Sequence, residues 1–288
     1  MLRLSALLLC AAALHAQLFT LTKDDLIRLT AKNPYGRFDD GRPRVPDEKL
    51  EQLKALTVED VWVVLPGKGF NNQFAGDWRV LHPGKKMAGR VITAQFMPVR
   101  PDLSDIIAAE GKKKQYQGGQ NQWVLNQIQP GDIVVVDLFG KEEGGTFVGD
   151  NLAFYITQMS RNAGLVVDGA IRDLEGISTF EMPVYFRHAH PGAIRDVMLT
   201  GFNVPIRIGN TTVMPGDVAF GDKTGIYFIP PQFVDEILAK GADTKIHDDW
   251  TKMKFREGKY KSSDIYGSPR DPELKKEYEE YRKSRAGK

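Results

Sequence analysis

The sequence has 288 residues and only one cysteine, Cys10, which lies close to the N-terminus. A single thiol excludes an intrachain disulfide and a thiolate-rich zinc site. Around Cys10, the charged start Met-Leu-Arg, the apolar residues 4–14 and the small residue Ala16 match a secretory signal. We therefore expect residues 1–16 to be a cleaved signal peptide, the alternative being an uncleaved apolar helix. Export to the periplasm or the medium would follow, and the mature protein would have no cysteine.

The sequence also lacks an excess of charge and a long apolar run. Its 39 basic and 37 acidic residues leave a net charge of +2, which gives no support to a nucleic-acid partner. The apolar stretch at residues 4–14 is too short to span a bilayer as a stable helix. We expect no stable membrane insertion after signal cleavage.

Three common catalytic and nucleotide-binding motifs are missing. The sequence contains no Gly-x-x-x-x-Gly-Lys-Ser/Thr loop, no Gly-x-Ser-x-Gly elbow and no Gly-x-Gly-x-x-Gly after a strand. Nucleotide-dependent and serine-hydrolase functions therefore lack their usual sequence support.

Hydrophobic spacing predicts helical segments near the N-terminus. Apolar residues recur at helical intervals over residues 21–31 and 47–65, with Thr22 as a start signal. Between them, residues 33–43 are rich in Gly, Pro, Asn and Asp and predict a loop.

The centre of the sequence predicts an α/β unit. Residues 90–96 alternate like a half-buried strand, and residues 132–137 form the β-branched run typical of a strand covered on both faces. A helix over 150–161 and a strand over 165–168 would complete a strand–helix–strand unit. Such units carry their chemistry at strand ends and helix starts.

Short strands separated by turns are predicted after Pro183, followed by a charged helix near the C-terminus. The turn signals are Gly-Asn, Pro-Gly and Asp-Lys pairs. The predicted elements are strands at 184–187, 204–208, 212–213, 217–220 and 225–229, and a helix at 272–283.

Candidate binding groups occur at one helix start and one strand end. Residues 149–152 read Gly-Asp-Asn-Leu, and the backbone N–H groups of Asn151 and Leu152 would lack intrahelical partners and could bind an anion. Residues 168–173 read Asp-Gly-Ala-Ile-Arg-Asp at the end of a buried strand. Together they could hold a metal ion and a small 2-oxo acid.

Arg172 and Asp173 each have a simple structural explanation as well. Asp173 offers a hard oxygen ligand for Mg²⁺ or Mn²⁺, yet it could equally be the N-cap of a helix that starts at Leu174. Arg172 could bind a carboxylate or a carbonyl oxygen, or form an ordinary surface ion pair with Glu175 or Asp173.

Other polar residues give weaker signals. His188 and His190 would share one face of a strand, but no other histidine is spaced to complete a zinc site, so a polar loop is favoured. Four aspartates begin or end strands and are interpreted mostly as turn and cap residues: Asp137, Asp168, Asp217 and Asp222.

These segments, in this order, resemble the RraA-like family. That family includes 4-hydroxy-4-methyl-2-oxoglutarate aldolase/oxaloacetate decarboxylases and regulators of ribonuclease E activity. The resemblance is carried by residues 130–137, 149–153 and 164–173 and continues through 203–206, 213–217 and 222–230.

The resemblance implies an α/β fold of the swivelling β/β/α type over residues 56–231. Residues 17–55 would be an N-terminal helical extension, and residues 232–288 a C-terminal helix and charged arm. It also implies a homo-oligomer, either a trimer or a hexamer made of two trimers, with sites at subunit boundaries.

Carried over residue by residue, the resemblance implies a role for each candidate. Asp173 would bind Mg²⁺ or Mn²⁺, Arg172 would bind substrate and act in catalysis, and the amides of Asn151 and Leu152 would hold the substrate carboxylate. Asp150 would be a catalytic acidic residue that positions a metal-associated water. Asn151 departs from the family, in which Leu is common at this position.

The function implied is a divalent-metal-dependent C–C lyase acting on a small 2-oxo acid. It would cleave a 4-hydroxy-2-oxo acid to pyruvate, decarboxylate oxaloacetate, or do both. Two alternatives stay open: a non-catalytic regulator of the RraA type, and a protein that binds a 2-oxo acid without turnover. Asp173 and the export signal argue against the regulator.

Overall fold

The computed structural model describes residues 20–143 and 146–285. The expected signal peptide, residues 1–16, lies outside the described residues. In chain order the helices and strands are α1 (Lys23–Leu29), β1 (Gly36–Arg37), β2 (Pro43–Arg44), α2 (Asp47–Leu53), α3 (Val58–Trp62), β3 (Phe74–Ala75), β4 (Arg79–Leu81), β5 (Met87–Pro98), α4 (Pro101–Lys113), α5 (Gln120–Leu125), β6 (Asp132–Lys141), α6 (Asp150–Ser160), β7 (Leu165–Ile171), α7 (Leu174–Ile177), β8 (Val184–Ala189), β9 (Val197–Phe202), β10 (Ile206–Ile208), β11 (Thr211–Val213), β12 (Val218–Asp222), β13 (Gly225–Ile229), α8 (Val234–Arg256), α9 (Ser262–Ile265) and α10 (Pro272–Arg285).

A mixed sheet forms the centre of the described chain. Its strand order is β3-β13-β12-β5-β6-β7-β8-β4, and β9 also pairs with β5. The neighbours β5, β6, β7 and β8 run parallel to one another, whereas the flanking pairs are antiparallel. Because parallel strands end at the same edge of a sheet, the residues that follow β6, β7 and β8 are brought together.

The central strands are buried on both faces, as the β-branched runs predict. On one face, Val134 and Val136 pack in a core that includes α6. On the other face, Ile133 and Val135 pack in a core that includes the β10–β11 hairpin. Alternating side chains point to opposite faces, so both faces of β6 need a covering layer.

The helix predicted over residues 47–65 is two helices, α2 and α3. Thr57 begins α3 through a capping box, in which its backbone N–H donates to Asp60 Oδ2 at 2.8 Å. The predicted start signal Thr22 caps α1, its Oγ1 accepting from Asp25 N at 3.1 Å. Local capping chemistry therefore decides where these helices begin.

The N-terminal extension is joined to the sheet by a buried ion pair. The fully buried guanidinium of Arg42 donates to Asp132 Oδ2 at 3.0 Å and to Asp40 Oδ2 at 2.7 Å. Asp132 begins β6 and is itself fully buried. A loop before the α/β unit thus neutralises a charge at the start of its central strand.

The C-terminal extension has a small core of its own. Trp250 of α8 packs with Leu274 of α10, and Lys254 pairs with Glu257 at 2.9 Å and Glu277 at 2.8 Å. None of the helices within residues 20–143 and 146–285 combines the length and apolar composition that a membrane span requires.

Candidate functional site

The residues before α6 return alongside the end of β7. Phe147 N–H donates to Ala170 O at 3.0 Å, and Arg172 N–H donates to Val148 O at 3.1 Å. The Asn121 side chain holds the same segment from the other side, donating to Phe147 O at 2.9 Å. These bonds place the α6 tip, residues 149–152, beside the Arg-Asp pair, Arg172 and Asp173.

Asp173 and Arg172 converge on Gly149. Asp173 Oδ2 lies 3.4 Å from the backbone N of Asp150, the first residue of α6, and 3.4 Å from Arg172 Nε. A Cβ at Gly149 would lie 2.2 Å from Asp173 Oδ2 and 2.8 Å from Arg172 Nε. Glycine leaves room for the carboxylate and the guanidinium at this helix tip, and a larger residue there would require both side chains to move.

Asp173 occupies the N-cap position of α7 without using its side chain as a cap. Its backbone is left-handed, with φ 57° and ψ 44°, and its carboxylate accepts no capping hydrogen bond. A non-glycine residue in this conformation is uncommon and often marks a functional position. The carboxylate is 40% exposed and is therefore available to a ligand.

The two backbone amides predicted to bind an anion differ in their contacts. Asn151 N–H donates to Asp150 Oδ1 at 2.7 Å, so the neighbouring carboxylate already engages it. Leu152 N–H has no acceptor among the described residues. At the α6 tip, an anion would meet one open amide and one that Asp150 shares.

The residues present fit a divalent cation held largely by water and substrate. No group of three or more His, Cys, Asp or Glu side chains suited to a metal lies together in the described parts of the chain. Mg²⁺ commonly keeps several waters and binds proteins through one or two carboxylates, and Mn²⁺ shares its preference for oxygen. Asp173, a partly exposed carboxylate in the space left by Gly149, suits this mode.

A second pair of carboxylates lies on β6 and β7, before the strand ends. Asp137 and Asp168 are opposite each other in the parallel register, and Arg187 Nε donates to Asp168 Oδ1 at 2.7 Å. Burial raises the pKa of Asp137, and the negative charge of Asp168 raises it further. The ion pair of Asp168 has no local sequence signal, because Arg187 belongs to another strand.

The turn interpretation fits Asp137, whose Oδ1 accepts from Phe139 N at 3.0 Å, and it fits Asp217 and Asp222 as well. Asp217 Oδ2 accepts from Met214 N at 2.9 Å, and Asp222 Oδ1 accepts from Thr224 N at 2.8 Å. Both side chains therefore close local turns.

The two histidines have separate contacts. His188 Nε2 lies 3.5 Å from Glu142 Oε1, whereas His190 Nδ1 accepts from Gly192 N at 2.9 Å. Within residues 20–143 and 146–285 neither belongs to a three-ligand metal cluster. The polar-loop interpretation agrees with these contacts.

The candidate site lies apart from two grooves of the described chain. A groove of about 1080 Å³ lies among the end of α2, α8 and α10, and a smaller cavity lies between α4 and α5. Asp150, Arg172 and Asp173 line neither of them. Arg172 and Asp173 are partly exposed at the carboxyl edge of the sheet.

Fold and site together define a class of protein: a mixed α/β domain in which a glycine-initiated helix tip faces an Arg-Asp pair at the end of a parallel strand. The family model described as RraA-like, Aldolase/RraA, matches residues 57–228, more than half of the chain. The chain therefore belongs to the RraA-like family, and the predicted family and α/β fold class are confirmed.

Relatives and solved structures agree with this assignment. A Halalkalibacterium halodurans protein provisionally named 4-hydroxy-4-methyl-2-oxoglutarate aldolase is 28% identical over 164 residues, covering 55% of this chain and 75% of the relative. An Azotobacter vinelandii protein with the same provisional name is 33% identical over 115 residues, covering 38% of this chain and 68% of the relative. Streptomyces coelicolor RraAS2, described as an unusual member of the RNase ES inhibitor RraA family, superimposes with a TM-score of 0.62 at 25% identity, covering 76% of this chain and 100% of RraAS2.

Proposed function

We propose that the protein is a divalent-metal-dependent C–C lyase for small 2-oxo acids. Its reaction would be aldol cleavage of a 4-hydroxy-2-oxo acid to pyruvate, decarboxylation of oxaloacetate, or both. The observation that carries the proposal is the convergence of Asp173 and Arg172 on the space left by Gly149 at the α6 tip. Relatives provisionally named aldolases support the same class of reaction.

In this proposal each residue of the site has its own task. Asp173 would hold Mg²⁺ or Mn²⁺, which when bound stabilises negative charge on the keto oxygen. Arg172 would bind the substrate and offset the same developing charge with a fixed guanidinium. The open amide of Leu152, together with that of Asn151, would orient the substrate carboxylate through hydrogen bonds at a helix start.

The chemical problem is the electron pair released when the C–C bond breaks. In aldol cleavage the C3–C4 bond breaks, its electron pair stays on the pyruvate fragment, and the C4 hydroxyl loses its proton as it becomes a carbonyl. The pyruvate fragment then takes up a proton at C3. Asp150 would orient the water that moves these protons, because its carboxylate lies at the α6 tip next to Asp173.

The proposal is tested by measuring pyruvate release from 4-hydroxy-2-oxo acids and from oxaloacetate. We expect activity with Mg²⁺ or Mn²⁺, loss of activity with a chelator, and loss of activity in Asp173→Ala. Asp196→Ala is a matched control, because Asp196 is also exposed, left-handed and next to an arginine, with its Oδ2 3.6 Å from Arg195 Nε. Activity that survives both the chelator and Asp173→Ala would reject the lyase.

A non-catalytic regulator is the second candidate function. The structural match extends over the whole of RraAS2, a member of a ribonuclease inhibitor family. This candidate predicts inhibition of an RNase E-type endonuclease that is indifferent to metal and to Asp173→Ala. Calorimetry that shows binding of a 4-hydroxy-2-oxo acid or oxaloacetate without any product would instead select a 2-oxo-acid binding protein.

Export and assembly complete the proposal. Residues 1–16 would direct the protein out of the cytoplasm, and the mature chain would form a trimer or a hexamer. The partial exposure of Arg172 and Asp173 supports assembly, because a neighbouring subunit would exclude water from reacting groups that the single chain leaves exposed.

A further inference from the structure

A second glycine lies against the other carboxylate of the site. Gly176 belongs to α7, and a Cβ added there would lie 2.9 Å from Asp150 Cβ and 3.0 Å from Asp150 Oδ2. Gly176 does not have a positive φ, so the backbone conformation would accept any residue. It is the space taken by Asp150 that requires glycine.

The two glycine contacts are reciprocal. Gly149, just before α6, makes room for Asp173, the residue just before α7. Gly176, inside α7, makes room for Asp150, the first residue of α6. Each short segment thus contributes one acid and one glycine, and each acid packs on the glycine of the other segment.

We propose that Gly176 is a positioning residue for the Asp150 carboxylate. The inference rests on the proposed function, in which Asp150 orients a water. Two non-bonded carbons are most stable about 3.5–4 Å apart, so a methyl group at Gly176 would overlap Asp150. Because the nearest atom is Asp150 Cβ, rotation of the carboxylate alone cannot relieve the overlap.

The displaced group is tied to the amide that the substrate would share. Relief requires movement of the Asp150 side chain from its root or a shift of α7 away from α6. The first change disturbs the 2.7 Å hydrogen bond from Asn151 N–H to Asp150 Oδ1 within α6. The second change moves Asp173, the residue just before α7, away from the α6 tip. A displacement of about 1 Å in a catalytic group can lower the rate about 100-fold.

The test compares Gly176→Ala with Gly84→Ala. Gly84 is an exposed turn residue that also lacks a positive φ, and an added Cβ there would meet no atom within 4 Å. For Gly176→Ala we expect kcat for pyruvate release to fall about 10-fold or more. Mn²⁺ affinity, measured by calorimetry, and the melting temperature should match Gly84→Ala. A kcat equal to that of Gly84→Ala would overturn the inference.

A double-mutant cycle separates positioning from a general structural role. If Gly176 acts through Asp150, Asp150→Asn combined with Gly176→Ala should be no slower than Asp150→Asn alone. If kcat of the double variant instead falls by the product of the two single-variant decreases, Gly176 does not act through Asp150.

A spectroscopic readout keeps the inference separate from the lyase activity. If the wild-type protein releases no pyruvate, the proposed function fails, but the Asn151 amide resonance still reports the Asp150 contact. In Gly176→Ala its proton shift should move toward the value in Asp150→Ala, whereas Gly84→Ala should leave it in place. An unchanged Asn151 resonance in Gly176→Ala would overturn the inference, with or without activity.

Discussion

At the scale of single residues, the acids of the described chain differ in what surrounds them. Asp168 is paired with Arg187 at 2.7 Å and is buried, whereas Asp173 is 40% exposed and lies 3.4 Å from Arg172 Nε. A loose, exposed contact of this kind contributes little to stability. The Arg-Asp pair is therefore better suited to binding a ligand than to holding the fold together.

Arg172→Lys should separate binding geometry from charge. Lysine keeps the positive charge but loses the planar fork that grips a carboxylate or carbonyl oxygen. We expect kcat/KM for pyruvate release to fall about 10²- to 10³-fold, the range for loss of one preorganised donor. The melting temperature should equal that of Arg195→Lys, the matched substitution in the exposed Arg195–Asp196 pair. A large drop in melting temperature would show that Arg172 is structural.

Asp217 should make the stability of the protein depend on pH. Burial raises its pKa from 3.8 to about 7. Between these values the folded state binds a proton that the unfolded state has lost, so the free energy of unfolding falls as pH rises. Asp217→Asn keeps the acceptor for Met214 N–H and removes the titration.

Denaturant unfolding from pH 4 to pH 8 measures this effect. In Asp217→Asn we expect the free energy of unfolding to fall less steeply as pH rises, and to be higher than in the wild type by about 2–4 kcal/mol at pH 8. Asp196→Asn, at an exposed aspartate, should leave the pH dependence as in the wild type. Equal slopes in wild type and Asp217→Asn would show that another group titrates.

At the scale of elements, the sequence pattern predicted those helices and strands whose formation depends on neighbouring residues. The β6–α6–β7 unit follows from β-branched runs and one amphipathic segment, and the rule that chemistry lies at strand ends and helix starts selects the candidate site residues. The contact of Gly176 with Asp150 could not be predicted, because it depends on how α6 and α7 approach each other.

The helices α4 and α8 show a second limit of pattern reading. Only Ile107 and Gly111 are buried in the 13 residues of α4, so no wide apolar stripe marks it in the sequence. The 23 residues of α8 pack against α3 at one end and α10 at the other. Because each end meets a different partner, its apolar residues do not follow a single face.

The stability of the protein should be sensitive to substitution of Arg42, whose ion pair joins the N-terminal extension to the sheet. Arg42→Ala would leave the buried Asp132 without the guanidinium 3.0 Å away. We expect the free energy of unfolding to fall by about 3–5 kcal/mol, as for other broken buried ion pairs. Arg28→Ala, which breaks an exposed pair with Asp25, should cost less than about 1 kcal/mol.

A double replacement checks the cause of that loss. Arg42→Met with Asp132→Leu removes both charges and should recover most of the stability lost in Arg42→Ala. If the double variant is as unstable as Arg42→Ala, lost packing or the lost hydrogen bond from Gln129 N–H to Asp132 Oδ2, rather than charge, explains the loss.

At the scale of the whole molecule, the proposal concerns where the protein is and how many chains assemble. Expression in a bacterial host should yield a periplasmic or secreted chain that begins at Gln17, as measured by mass spectrometry of the intact protein. Light scattering should give a mass of three or six chains. A cytoplasmic protein that retains Met1, or a monomer with full activity, would contradict these expectations.

The buried Arg42–Asp132 pair also bears on what counts as the minimal folding unit. The family match begins at residue 57, so a chain trimmed to that limit would keep the acid and lose the cation. The segment that matches the family is therefore shorter than the segment that holds both partners of this buried pair, which includes Arg42. A chimera that transfers only residues 57–228 into a relative should be insoluble unless residue 132 is made apolar at the same time.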